Sequence, residues 1–175
     1  MPVLQCGRFQ LELGQPRIMA IINLTDDSFS GDGYSADTRA ALARAERALE
    51  EGADMLDVGA ESSRPGSDPV SEAQELERVV AFVDAARALG VPLSIDTVKP
   101  AVMRAALAAG ADMINDVNGF RTPGAVEAVA AGQAGLCVMH MKGEPRTMQH
   151  DPQYEDVVAD VAAFLDARVA ELVAA

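Results

Sequence analysis

GADMLDV, residues 52–58, and GADMINDV, residues 110–117, nearly repeat each other. In each, a glycine follows an Ala-rich helical stretch and precedes a short apolar run, the pattern of a helix C-terminus leading into a buried strand. The joint recurs more loosely as GVPLSID from Gly90 and GLCVMH from Gly135. Repeated βα units of about 20 to 40 residues are the simplest reading.

Working outward from these joints, strands are predicted over 17–22, 54–58, 92–95, 112–117 and 136–139, all short and nearly continuous in apolar residues. The helices fall between them. Residues 36–51 carry Leu42, Ala45 and Leu49 on one side, and residues 71–89 open with a capping box of Ser71 and Gln74 and continue with Leu76, Val79, Val80, Val83 and Leu89. Pro100 and Pro123 each suit a first helical turn, Thr122 serving as cap for the latter. A last helix over 154–173 places Val158, Val161, Leu165, Val169 and Leu172 on one stripe. Apolar strands joined by helices indicate a parallel α/β sheet covered by helices.

Composition narrows the function classes. At 175 residues and 49% apolar content the chain has the length of one domain with a sizeable core. Fourteen Lys and Arg stand against 27 Asp and Glu, a formal charge of -13, which opposes binding to nucleic acid or an anionic membrane. No signal peptide or membrane span is legible, so a cytoplasmic protein is expected. Cys6 and Cys137 are too far apart to read as a disulfide scaffold or metal knuckle, and Cys137 suits a small buried thiol.

Asn23, Asp57, Asp96, Asn115 and His140 all fall at or just beyond the C-terminal end of a predicted strand. Binding sites of parallel β/α folds form there, and in a barrel every strand end converges on one mouth. No GxGxxG follows the first strand, which removes the commonest reason to prefer an open doubly wound sheet. The expected fold is therefore the TIM (β/α)8 barrel, with about five βα units present.

The loops at that mouth carry the chemistry. NLTDDSFSGDGYS, residues 23–35, offers an amide, hydroxyls, adjacent acids and pliable glycines, and reads either as a lid or as a polar turn. DVGAESSRPG, residues 57–66, sets Ser62, Ser63 and Arg64 in a loop stiffened by Pro65. The guanidinium fork and neighbouring hydroxyls suit an anion such as pyrophosphate, although an ion pair of Arg64 with Glu61 or Glu72 is the competing reading. Asp96 of SIDT can pair with a guanidine-like heterocycle edge, bind a metal or cap a helix. Asn115 offers a second amide for such an edge, and Asp116 suits a supporting hydrogen bond. In VMHMKG, Met139 can pack on a flat ligand and His140 can act as acid, base or ligand, but no HxH, HExxH, GxSxG or Cys-His spacing accompanies it.

Taken in order from about Ile18 onward, these motifs resemble the dihydropteroate synthase family: an Asn-bearing first loop, a D-x-G-x-E-S-[ST]-R-P-G loop, an S-I-D-T strand end and an N-D strand end. The resemblance implies a barrel that condenses 6-hydroxymethyl-7,8-dihydropterin pyrophosphate with p-aminobenzoate, releasing pyrophosphate in folate synthesis. It implies that Asp96 and Asn115 bind the pterin edge, that Val117, Cys137 and Met139 line its pocket, and that Ser63 and Arg64 serve the phosphate and p-aminobenzoate side. Arg64 and Asp96 are the residues expected to carry catalysis. Asn23 matches the residue associated with Mg²⁺ and pyrophosphate, and a homodimer is expected.

The departures are specific. Asp26 stands where the family usually has proline, Gly31 and Asp32 are reversed, and Ala60 replaces a usual glycine. The family's later D-P-G-x-G-F, S-R-K and R-x-H segments have no counterpart, so residues 1–175 are expected to form a partial pterin-binding barrel domain that lacks turnover by itself. Two alternatives stand beside the synthase: a methyltetrahydrofolate-dependent corrinoid methyltransferase, against which SSRPG argues because methyl transfer needs no diphosphate pocket, and a non-catalytic truncated fragment.

Overall fold

A computed structural model describes residues 1–24, 34–61, 70–144 and 147–175. A hairpin of β1 (Val3–Cys6) and β2 (Phe9–Glu12) precedes a parallel sheet of β3 (Met19–Asn23), β4 (Met55–Gly59), β5 (Leu93–Asp96), β6 (Met113–Asp116) and β7 (Gly135–Val138). The order across the sheet is the order in the chain. A doubly wound sheet reverses at a switch point, whereas strands laid down strictly in sequence continue around one axis, as in a barrel. The intervening helices are α1 (Tyr34–Glu50), α2 (Glu72–Ala86), α3 (Pro100–Ala109), α4 (Ala125–Val129) and α5 (Val157–Ala174). Among the described residues no helix is long and apolar enough to cross a membrane.

The repeated GADM joint performs the same task twice. Gly52 and Gly110 take φ of 107° and 109°, a left-handed conformation open to glycine, and end α1 and α3. Each following alanine N–H bonds a carbonyl of the last helical turns, Ala48 and Ala106 respectively. Each aspartate N–H then bonds the carbonyl at the start of the preceding strand, Ile18 or Leu93, while its carboxylate accepts that same residue's N–H, at 2.8 Å for Asp54 and 3.2 Å for Asp112. One four-residue sequence thus ends a helix and registers the next strand on its neighbour.

Leu56, Val58, Leu93, Ile95 and Ile114 face the helices and pack with Val79, Phe82, Val83, Val102 and Met103 in a fully buried core. Side chains alternate along a strand, so Asp57, Ser94, Asp96, Asn115 and Cys137 lie on the opposite face. α2 packs between α1 and α3, and its N-terminus has the complete Ser71–Gln74 capping box. Pro100 does open α3.

Two helices depart from expectation. α4 starts at Ala125 with Gly124 as cap, and Pro123 lies outside it; Gly124, at φ 86°, turns the chain only after the proline. On α5, Val161, Leu165 and Leu172 are half-buried, but Val158 and Val169 are 75% and 51% exposed. The stripe turned inward is rotated, because Arg168 lies over the turn after β6, donating to the Gly119 and Phe120 carbonyls at 2.7 and 2.9 Å.

The hairpin is an element that the sequence reading missed. Leu4, Cys6, Phe9 and Leu11 alternate with polar Gln5, Gln10 and Glu12, and they close the bottom of the sheet against Met19, Met55, Met113 and Cys137. Burial pushes the Cys6 thiol up to about 11, so it is an inert packing group. The two-residue turn needs Gly7: its φ is 53°, and a Cβ there would come within 2.7 Å of Asp112. Arg8 completes the seal, donating from Nε and a terminal nitrogen to the Asp112 carboxylate at 3.0 and 2.9 Å.

Candidate functional site

Strand register assembles the site. Asn23 pairs with Gly59, Gly59 with Asp96, Asp96 with Asn115, and Asn115 with Cys137, so four of the candidate residues form one row across the C-terminal end of the sheet. Val117 and Met139 follow directly on β6 and β7, both half-buried at the same end. Asn23 is exposed at the rim, its backbone carbonyl accepting from Arg44 at 2.7 Å. Ser63 and Arg64, together with Ser62, Pro65 and Gly66, lie outside the described residues, as does the first-loop segment 25–33.

Asp57, one row deeper and 5% exposed, ties the row together. Its Oδ1 accepts from the Ser94 hydroxyl at 2.6 Å and its Oδ2 from the Asn115 amide at 3.0 Å. An ionised carboxylate only accepts, so the Asn115 NH₂ must face Asp57 and its carbonyl oxygen is left as an acceptor toward the mouth. Asp57 was legible as a strand-end acid, but its hold on Asn115 depends on register and escaped the sequence reading.

Asp96 is pushed up to about 7, first by burial and then by the carboxylates of Asp57, Glu75, Asp116 and Glu61. Near neutrality it is divided between acid and carboxylate. A ligand offering two adjacent N–H donors favours the carboxylate, and beside it the Asn115 carbonyl accepts a further donor; together they are complementary to a guanidine-like edge. The Cys137 thiol is likewise raised, by burial and then by Asp57 and Asp96, and supplies a small soft surface beside them.

Other residues singled out in the sequence have partners within the protein. Asp116 is fully buried and accepts from the Asn118 and Phe120 N–H groups at 2.7 and 2.8 Å, holding the turn after β6. His140 stacks edge-on against Phe164, centroids 5.0 Å apart, and leans on Tyr154 at 5.9 Å. Glu61 is bonded to Lys99. The network of Lys99, Glu61, Glu75 and Thr97 beside the row was not anticipated; a lysine directly before the helix-opening Pro100 was the available signal.

For magnesium the donor set is sparse. Among the described residues no group of three or more His, Cys, Asp and Glu is placed to hold a metal, and Asn23 contributes one neutral amide oxygen. Mg²⁺ commonly takes few protein ligands and completes its shell with phosphate oxygens and water, and a single rim amide fits that mode.

Residues 19–175 match the family model described as "Pterin binding enzyme". The chain is 50% identical over 176 residues to dihydropteroate synthase of Neisseria meningitidis serogroup B, covering 99% of this chain and 62% of that protein. Against the Escherichia coli K12 synthase identity is 42% over 161 residues, covering 91% of this chain and 57% of the relative. It therefore spans about three-fifths of the length of these curated relatives. Among solved structures, Burkholderia cenocepacia dihydropteroate synthase complexed with 7,8-dihydropteroate superposes with a TM-score of 0.86 at 57% identity, covering 97% of this chain and 57% of that one. The Yersinia pestis synthase in a sulfonamide complex gives 0.89 at 42%, covering 99% and 63%. A sequential five-stranded βα sheet, a row of pterin-compatible polar groups and these matches lead to one conclusion: the chain belongs to the pterin-binding enzyme family.

Proposed function

We propose that the protein acts at its full encoded length as a dihydropteroate synthase, joining the methylene carbon of 6-hydroxymethyl-7,8-dihydropterin diphosphate to the amine of p-aminobenzoate. The observation that carries this reading is the Asp96–Asn115 row, with Asp57 fixing the amide's orientation. Asp96 accepts from the ring N–H and exocyclic amino group, and the Asn115 carbonyl accepts beside it. Val117, Cys137 and Met139 flank the ring.

Binding of the ring edge holds the methylene carbon in place while its C–O bond to diphosphate breaks. The dihydropterin ring spreads the developing positive charge. The neutral arylamine then forms the C–N bond and releases a proton to solvent or to the departing diphosphate, so no strong general base is needed. Arg64, with the Ser63 hydroxyl, is assigned to neutralise the leaving group. Asn23 is the residue that would hold Mg²⁺, which would supply further neutralisation of that charge.

Calorimetric titration of 6-hydroxymethyl-7,8-dihydropterin into the full-length protein and its Asp96→Ala variant tests the reading. Removing the carboxylate leaves two ligand donors desolvated and unmatched, so affinity is expected to fall by roughly 1–3 kcal/mol, about 5- to 150-fold. Unchanged affinity in the variant overturns the assignment.

A further inference from the structure

Thr97 follows Asp96 directly, is 4% exposed, and is fastened in two directions. Its backbone N–H donates to the Asn115 carbonyl at 3.1 Å, carrying the β5–β6 ladder one bond past the Asp96–Asn115 pair. Its hydroxyl donates to one carboxylate oxygen of Glu75, in the first turn of α2, at 2.5 Å, and accepts from the Lys99 backbone N–H at 3.2 Å. The Lys99 ammonium holds the other Glu75 oxygen. Thr97, Glu75 and Lys99 thus close a ring behind Asp96.

Glu75 shares the buried face of α2 with Val79, Phe82, Val83 and Ala86 and is itself 1% exposed. A buried Lys–Glu pair is often no more stabilising than apolar side chains of similar volume, so packing alone does not account for it. Ile95 points into the same core, and side chains alternate along a strand, so Thr97 is held on the helix side of β5 while Asp96 faces the mouth. We infer that Thr97 is a positioning residue, pinned by Glu75 from α2, that fixes the Asp96 carboxylate against the Asn115 amide so that both meet one ligand edge. The pterin as ligand rests on the function proposed above; the pin rests on the bonds. A hydroxyl that served only the turn into α3 would need only to accept from Lys99, whereas its donated bond reaches a different helix.

The full-length protein tests this with Thr97→Val, which keeps the shape and the backbone N–H but loses the hydroxyl, and with Thr97→Ser, which keeps the hydroxyl. Glu75→Met combined with Lys99→Met removes the acceptor without stranding a buried charge. Calorimetric titration with 6-hydroxymethyl-7,8-dihydropterin should show about fivefold weaker binding for Thr97→Val and for the double variant, and binding within about twofold of native for Thr97→Ser. In an Asp96→Ala background the loss from Thr97→Val should shrink to within about twofold, because the pin acts through Asp96. Without ligand, amide exchange at position 97, measured against Ile95 in the same strand, should accelerate in Thr97→Val and not in Thr97→Ser. Native affinity in Thr97→Val, equal losses for Thr97→Val and Thr97→Ser, or an undiminished loss in the Asp96→Ala background overturns the positioning role, whatever the melting temperatures. If Asp96→Ala binds the pterin as the native protein does, the ligand reading falls, and the exchange at position 97 decides the pin alone, a native rate in Thr97→Val overturning it. Should circular dichroism show Thr97→Val unfolded, the double variant decides by the same two measurements.

Discussion

Aspartates sit at both ends of the same parallel sheet, and one of them, Asp96, behaves in the opposite way to the pair at the far end. At the N-terminal end, Asp54 and Asp112 each meet an arginine and a backbone N–H, and Asp54 is held below the usual carboxylate range by the Ile18 N–H and then by Arg17. At the C-terminal end, half-buried Asp96 lies among Asp57, Glu75, Asp116 and Glu61 and is raised to about 7, first by desolvation. Asp54 and Asp112 are fastenings, as are Asp57 and Asp116 at the other end, whereas among the described residues no donor reaches Asp96. In β/α barrels the bottom face serves stability and the top face serves binding, and here the difference reduces to whether each carboxylate finds its donors within the protein.

The largest effect expected from breaking this contrast is at the bottom. Asp112→Ala removes the partner of Arg8 and leaves the Leu93 N–H without its side-chain acceptor beneath the hairpin seal. Chemical denaturation should show a loss of about 2–4 kcal/mol. A loss within about 0.5 kcal/mol, the range of ordinary surface substitutions, would mean that the hairpin is held by its apolar side chains alone.

A smaller effect of opposite sign is expected at the top. Asp96 in the folded protein titrates near 7 against an ordinary value of 3.8, so folding favours its protonated form. The stability that this protonation supplies is fully present below about 3.8 and is lost as pH rises through about 7. Without ligand, Asp96→Asn should therefore be more stable than the native protein at pH 8, by roughly 1–2 kcal/mol given partial solvent access, and nearly equal to it at pH 4. Thermal unfolding at the two pH values measures the difference. A destabilised Asp96→Asn at pH 8 would contradict the crowding of charge around this residue.

The contrast also explains what could be seen in the sequence. The five strands of the sheet were legible because each is a short apolar run, three of them preceded by a glycine that ends the helix before it, and Gly52, Gly90 and Gly110 do adopt the left-handed conformation that the pattern implies. Asn23, Asp96, Asn115 and Cys137 were legible as polar or small residues at strand ends, and register alone then brings them into one row. The hairpin escaped because its alternation spans only four residues per strand, and its burial depends on Met55 and Met113, more than 40 residues away. Asp57 was legible as a strand-end acid, but its bond to Asn115 and the bonds of Lys99 escaped for a related reason: each acts on a neighbour supplied by another strand or helix, a relation that no local pattern carries. Pro123 misled because proline suits both a first helical turn and the loop before it, and Gly124 decided between them.

The account turns on Asp96 as the acceptor for the pterin edge, and its own titration is the most direct measure. In the full-length protein carrying ¹³C-labelled aspartate, with Asp96 assigned by its Asn variant, the carboxyl carbon should titrate near 7 without ligand. Saturation with 6-hydroxymethyl-7,8-dihydropterin should move the midpoint down by about one unit or more, since two N–H donors stabilise the carboxylate. A midpoint unmoved or raised by the pterin would contradict the role assigned to Asp96.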